Sequence, residues 1–260
     1  MSNFLNHFPQ TELMIRDFSS KTPLFFKDLS MMLGIFEADA KVAKQYLPSS
    51  DFKLVSPIPG KALVGINCFE YKDSDIGPYN EVSIAIAVEN KKWKPGFVSV
   101  FGSTLSQNFH ANILQLPVTT DVALHGGLDF FNYPKYKADI KFKETETERV
   151  CTVSDNGELL FSFTMKKLKT KSFDQNKPFN DFNKALYNSY PIMNNQIMKA
   201  DLLVNQIEKG TQCMGKGFRV EIGNHEKSQL LKDLKLGKLM QQVYMPKGEA
   251  VLMEPSILDM

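Results

Sequence analysis

The sequence predicts a mainly β protein with a few helices, built on antiparallel strands, and two observations carry that expectation. Apolar and polar residues alternate with period two over Lys61–Tyr71, Val82–Val88, Phe97–Phe101, Asn108–Leu116, Lys137–Thr152, Leu159–Leu168, Ile197–Val204, Phe218–Ile222 and Met240–Met253. That spacing sends successive side chains to opposite faces of a strand. Asp155-Asn156-Gly157 separates two of these runs, and Asn-Gly accepts the positive φ angles of a tight hairpin turn.

Taken in order, residues 1–22 carry no sustained pattern and read as an N-terminal arm. Ala38–Tyr46 places Ala40, Val42, Ala43 and Tyr46 at helical spacing before Pro48 stops the run. Thr119 or Thr120 is placed to cap a short helix through Val122, Ala123 and Leu124, with Gly126-Gly127 ending it. Lys227–Leu234 is a third helical segment, and Ser172–Asn183, rich in Asn, Asp, Phe and Lys, reads as a loop. With no linker, repeat or low-complexity block, residues 1–260 are expected to form one domain.

Bulk properties exclude several function classes. With 31 basic against 29 acidic residues there is no net field to select nucleic acid or an anionic membrane. Arg16, Arg149 and Arg219 are far apart in sequence, so no phosphate-reading cluster is expected. Met1–Gln10 lacks a basic start and an apolar run, and the apolar stretch Ile84–Val88 is too short to span a bilayer. Cys68, Cys151 and Cys213 are odd in number and form no CxxC, which fits buried thiols in a reducing, cytoplasmic compartment. His7, His110, His125 and His225 have no metal-site spacing, and no P-loop, dinucleotide fingerprint or GxSxG elbow accompanies His125-Gly126-Gly127.

The chemistry-bearing stretches are Asn132-Tyr133-Pro134-Lys135-Tyr136-Lys137 and Asp73-Ser74-Asp75-Ile76-Gly77-Pro78-Tyr79-Asn80-Glu81. Tyr-Pro-Lys after an apolar segment and Tyr-x-Glu opening an apolar strand resemble the places where the acetoacetate decarboxylase family carries its Schiff-base lysine and a site glutamate. Tyr46-Leu47-Pro48 and Met245–Leu252 extend the resemblance, which runs from about Leu24 to about Pro255. It implies a closed, cone-like antiparallel barrel around an apolar cavity, a homo-oligomer, a small keto-acid substrate and no cofactor. Lys135 and Glu81 become the expected catalytic residues, with Tyr79, Tyr136, Glu37, Asn67 and His125 in the substrate pocket.

A lysine attacks a ketone only as the free amine, which at its reference pKa is about one molecule in a thousand at neutral pH. Burial or a nearby cation must supply the difference. Leu124, Leu128, Phe130, Phe131 and Tyr133 offer apolar surroundings. Alternation alone places Lys135 in phase with Lys137, Asp139 and Lys141, ordinarily a solvated face.

Three positions depart from the family pattern. The second lysine of the decarboxylases is Tyr136 here, a pocket arginine falls on Glu37, and a further glutamate on Asn67. Decarboxylation of a keto acid through an imine on Lys135 is the leading expectation. An aldolase-dehydratase on 2-oxo acids, using the same imine, fits the departures better. A non-catalytic barrel with Lys135 as the polar handle for a small apolar ligand is the third reading.

Overall fold

The computed structural model describes residues 3–92, 107–175 and 183–258. In chain order the strands are β1 (Thr11–Ile15), β2 (Phe18–Thr22), β3 (Leu24–Asp39), β4 (Phe52–Leu54), β5 (Lys61–Ser74), β6 (Tyr79–Asn90), β7 (Asn108–Val118), β8 (Lys135–Lys137) and β9 (Asp139–Glu144). They continue with β10 (Glu148–Asp155), β11 (Glu158–Lys166), β12 (Lys171–Ser172), β13 (Lys184–Ser189), β14 (Ile192–Met193), β15 (Gln196–Cys213), β16 (Phe218–Ile222), β17 (Leu239–Leu252) and β18 (Ser256–Ile257). The α-helices are α1 (Ala40–Ala43), α2 (Asp121–Phe131) and α3 (Gln229–Leu234).

A closed ring runs β6-β5-β3-β17-β15-β13-β7 and returns to β6. It is mixed, where an antiparallel barrel was expected: β7 pairs in parallel with β13 through Asn108–Ala111 and with β8 through Leu116–Val118. The physical reason is the length of the connections, since a parallel neighbour requires a crossover of a dozen or more residues: α2 lies in the connection from β7 to β8, and α2 together with β8–β12 in the connection from β7 to β13. A second, four-stranded sheet, β16-β11-β10-β9, covers one outer face of the ring.

These layers explain the pattern of β6. Val82, Ile84 and Ile86 point outward into a core shared with Cys151, Phe161 and Phe163 of the covering sheet. Tyr79 points the other way, into an interior lined by Leu29, Met31, Phe69, Tyr71 and Val243. A strand buried on both faces loses its polar alternation, and β3 shows the consequence. Leu24–Phe36 is apolar on both sides, so period-two reading passed over a strand of 16 residues.

The hairpin at Asn156-Gly157 forms as expected, with φ of 49° and 84° and Asp155 opposite Glu158. Residues 1–22 differ from the expected arm: β1 and β2 form a separate antiparallel hairpin. The first helical segment forms over Ala40–Tyr46, as α1 followed directly by a 3-10 turn at Lys44–Tyr46, and is N-capped by Asp39, whose carboxylate accepts from the Lys41 and Val42 amides. Cys68 and Cys151 are buried, as expected, but Cys213 is exposed. Phe97–Phe101 lies outside the described residues, as does most of Ser172–Asn183. Among the described residues no helix is long and apolar enough to cross a membrane.

Candidate active site

Lys135 is placed by the turn that joins α2 to β8. Asn132 takes the left-handed conformation (φ 49°) at the end of α2, its amide donating to the Leu128 carbonyl and that of Tyr133 to Gly127, a helix stop that Asn tolerates. Pro134 has no amide to continue the helix, and its carbonyl accepts from Leu116 on β7. The Tyr133 hydroxyl is fixed against Ser189 Oγ at 2.7 Å. Lys135 therefore enters the sheet directly opposite Leu116.

Glu81 reaches the same place from the other side of β7. It pairs with Val118, two residues from Leu116, so Lys135, Leu116, Val118 and Glu81 share one face. The Lys135 ammonium donates to Glu81 Oε2 at 2.7 Å, with only 7% and 10% of the two side chains exposed. Tyr71, opposite Tyr79 in the β5–β6 register, donates its hydroxyl to Glu81 Oε1 at 3.3 Å. The Tyr79 ring centroid lies 6.0 Å from Lys135 Nζ. Burial, with the Glu81 charge adding to it, holds both phenols well above their ordinary pKa, so they remain donors.

Helix α2 closes over the lysine through a missing side chain. A Cβ at Gly127 would fall 2.3 Å from both Cδ and Cε of Lys135, so the aliphatic stem lies against bare helix backbone. Lys135 and Tyr79 end in a cavity of about 340 Å³ whose walls include Leu24, Ile76, Phe130 and Phe131. The β1–β2 hairpin forms the outer wall with Leu13, Ile15 and Lys21. Arg16, at the hairpin turn, holds it to α2 through Asp129 (3.0 Å) and His125 Nε2 (3.1 Å). The arrangement is an amine-bearing side chain in the wall of an apolar cavity, in contact with a buried carboxylate that stands behind that wall.

A family model described as acetoacetate decarboxylase (ADC) matches residues 12–253. The chain belongs to the acetoacetate decarboxylase family. It is a decarboxylase-like enzyme of that family. Solved structures with the same fold include an acetoacetate decarboxylase from Legionella pneumophila subsp. pneumophila str. Philadelphia 1, at 13% identity and a TM-score of 0.63 over 91% of this chain and 87% of that one. A second acetoacetate decarboxylase covers 99% of this chain and 94% of its own at 14% identity and a TM-score of 0.65. The enduracididine biosynthesis enzyme MppR, complexed with pyruvate, aligns at 12% identity and a TM-score of 0.60 over 91% and 90%. No curated protein matches significantly.

Of the pocket residues that the acetoacetate decarboxylase pattern suggested, the structure gathers Lys135, Glu81 and Tyr79. The others stand elsewhere. Tyr136, next to Lys135 on a strand, points to the outer core with the Lys227 ammonium 4.8 Å from its ring centroid. Glu37 does not line the cavity. It sits against Gly237 near the far end of β3, eight residues and about 26 Å of strand from the Leu29 that pairs with Tyr71. Asn67 faces the ring interior four residues from Tyr71, its Oδ1 buried without a hydrogen-bond partner, and is not among the cavity's walls. His125 belongs to the hairpin clamp.

Sequence reasoning missed Tyr71 and Gly127. Folding the hairpin about Gly77 (φ 81°) puts Tyr71 opposite Tyr79, two residues from Glu81, so that contact was available from register. Gly126-Gly127 was read as a helix end, whereas α2 runs through both to Phe131. The glycines serve close approach, Gly126 to Ile15 and Gly127 to Lys135.

Proposed function

We propose that this enzyme is a Schiff-base-forming lyase acting on a small keto acid, with Lys135 as the nucleophile and Glu81 as the proton shuttle. The observation that carries the reading is the 2.7 Å contact between the ammonium of Lys135, which lines an apolar cavity, and the buried carboxylate of Glu81 behind it. Proton transfer from Lys135 to Glu81 gives a free amine and a carboxylic acid. The amine adds to the substrate carbonyl, and Glu81 returns the proton to the departing oxygen as water leaves. The resulting iminium then lies beside the regenerated carboxylate, which stabilises its charge. In a β-keto acid the carbon–carbon bond breaks, its electrons enter the iminium, carbon dioxide departs and the enamine is protonated at carbon. Water returns the ketone and the amine.

A second reading, aldol or dehydration chemistry from the same imine, is favoured by the outward turn of Tyr136. Among the described residues no second cation stands beside Lys135 in the cavity wall to hold a carboxylate next to the imine carbon. The pyruvate-bound fold relative is consistent with such chemistry. Borohydride treatment with acetoacetate, pyruvate or acetylacetone, followed by mass spectrometry, tests the imine. The expected result is a reduced adduct on Lys135 that Lys135→Ala lacks. No adduct across a broad set of keto acids would overturn the reading in favour of a ligand-binding barrel.

A further inference from the structure

Among the described residues the cavity wall holds one cation besides Lys135, and it comes from the hairpin. Lys21 on β2 lines the cavity wall and is exposed, whereas only 7% of the Lys135 side chain is, so Lys21 stands at the solvent end. No ion pair or hydrogen bond engages its ammonium among the described residues. Glu12, its cross-strand neighbour, is outside the cavity lining. Glu254, also exposed, lines the same cavity and is likewise unpaired. Between this charged mouth and Lys135 the walls are mainly apolar, and about 340 Å³ is at the lower end of sites that bury drug-sized ligands, more than a four-carbon acid requires.

The hairpin is positioned to make this cation a fixed feature. Arg16 ties it to α2, and Ile15 Cδ1 lies 3.2 Å from where a Gly126 Cβ would be, so the hairpin seats directly on the helix. An amine at the inner wall, an apolar span and an ammonium at the mouth form a ruler. From this, and resting on the imine reading above, we infer that the substrate is an oxo acid whose carbonyl and carboxylate are separated by an apolar segment, with Lys21 binding the carboxylate. Glu254 limits the class to mono-anions by repelling a second carboxylate. Such a carboxylate lies away from the imine carbon, so the bond that changes next is at the enamine carbon, as in aldol or dehydration chemistry, with no carbon dioxide released.

The test compares chain-matched pairs, 6-oxoheptanoate with 2-heptanone and 4-oxopentanoate with 2-pentanone, by the concentration for half-maximal borohydride trapping on Lys135. The unmodified enzyme should prefer each acid about five- to tenfold, more strongly at low salt. The preference should fall to about one in Lys21→Met, invert in Lys21→Glu and return in Lys21→Arg, while Glu254→Gln should increase it. An acid preference unchanged in Lys21→Met would overturn the inference and leave the imine intact. Calorimetric binding of heptanoate against 1-heptanol needs no imine: Lys21-dependent heptanoate binding in a protein that traps no ketone would sustain the anion site and remove the imine, and Lys21-independent binding would remove the site.

Discussion

Lys135 and Lys137 stand two residues apart on one short strand, point to the same side, and each holds a carboxylate, at 2.7 Å for Glu81 and 2.6 Å for Asp121. They differ in what covers them. Lys135 passes under α2 at Gly127, whereas Lys137 emerges at the first turn of that helix, where 54% of its side chain and 57% of Asp121 are exposed. Water screens the outer pair far more than the inner one, whose side chains are 7% and 10% exposed. Two nearly identical contacts therefore have unlike physical consequences, and α2 decides which lysine is covered.

The largest expected effect comes from breaking the inner pair on one side. Lys135→Met strands Glu81 as a buried charge and should destabilise the fold by about 3–5 kcal/mol, with Lys135→Met/Glu81→Gln recovering much of it. Denaturant midpoints of the two variants check this; equal losses would show that the carboxylate is well hydrated. The matching cut outside, Lys137→Met, should leave the denaturant midpoint nearly unchanged and trapping at Lys135 unaltered.

Gly127→Ala sharpens the comparison by separating stability from reactivity. Alanine favours the helix by about 1 kcal/mol over glycine, but its methyl group must displace the Lys135 stem. Trapping rates should fall on the order of a hundredfold, the scale of a misplaced reacting group, with the melting temperature little changed. Unaltered trapping would mean that the stem has room to move.

The smallest effect is read at Asp121. Its hydrogen bond from Lys137, with the ammonium charge adding to it, holds the carboxyl below its ordinary value of 3.8. The pair's contribution is thus complete above that value and is lost as the pH falls through the lower, folded one. Carbon-detected NMR titration should show the Asp121 midpoint rising toward the ordinary value in Lys137→Gln and in concentrated salt. A midpoint that ignores both would place its cause elsewhere.

The same contrast defines what was legible in the sequence. Strands with one solvated or half-solvated face, such as β10 and β11, declared themselves through alternation and an Asn-Gly turn. β3 did not, because both its faces are buried. Tyr-Pro-Lys and Tyr-x-Glu pointed to Lys135 and Glu81, which the structure brings into contact, but alternation put Lys135 on a solvated face, since phase along a strand carries no information about a helix packed over it. Glu37 was misplaced because a linear spacing from Leu47-Pro48 took no account of the long β3 strand that carries it away from the cavity. Lys21 gave no signal at all, belonging to a segment without visible pattern.

The β7 strand has one more consequence, for the order in which this molecule comes into being. It alone lies between Glu81 and Lys135, which are 54 positions apart. Local hairpins such as β10–β11 form early, while distant segments meet only after the entropy of a long loop has been surrendered. Until β7 has docked on both flanks, ammonium and carboxylate belong to separate stretches of chain. A chain in which β7 has not yet joined β6 and β8 is thus expected to be chemically silent, and a reducing pulse with a ketone during refolding would label only molecules in which those three strands have paired.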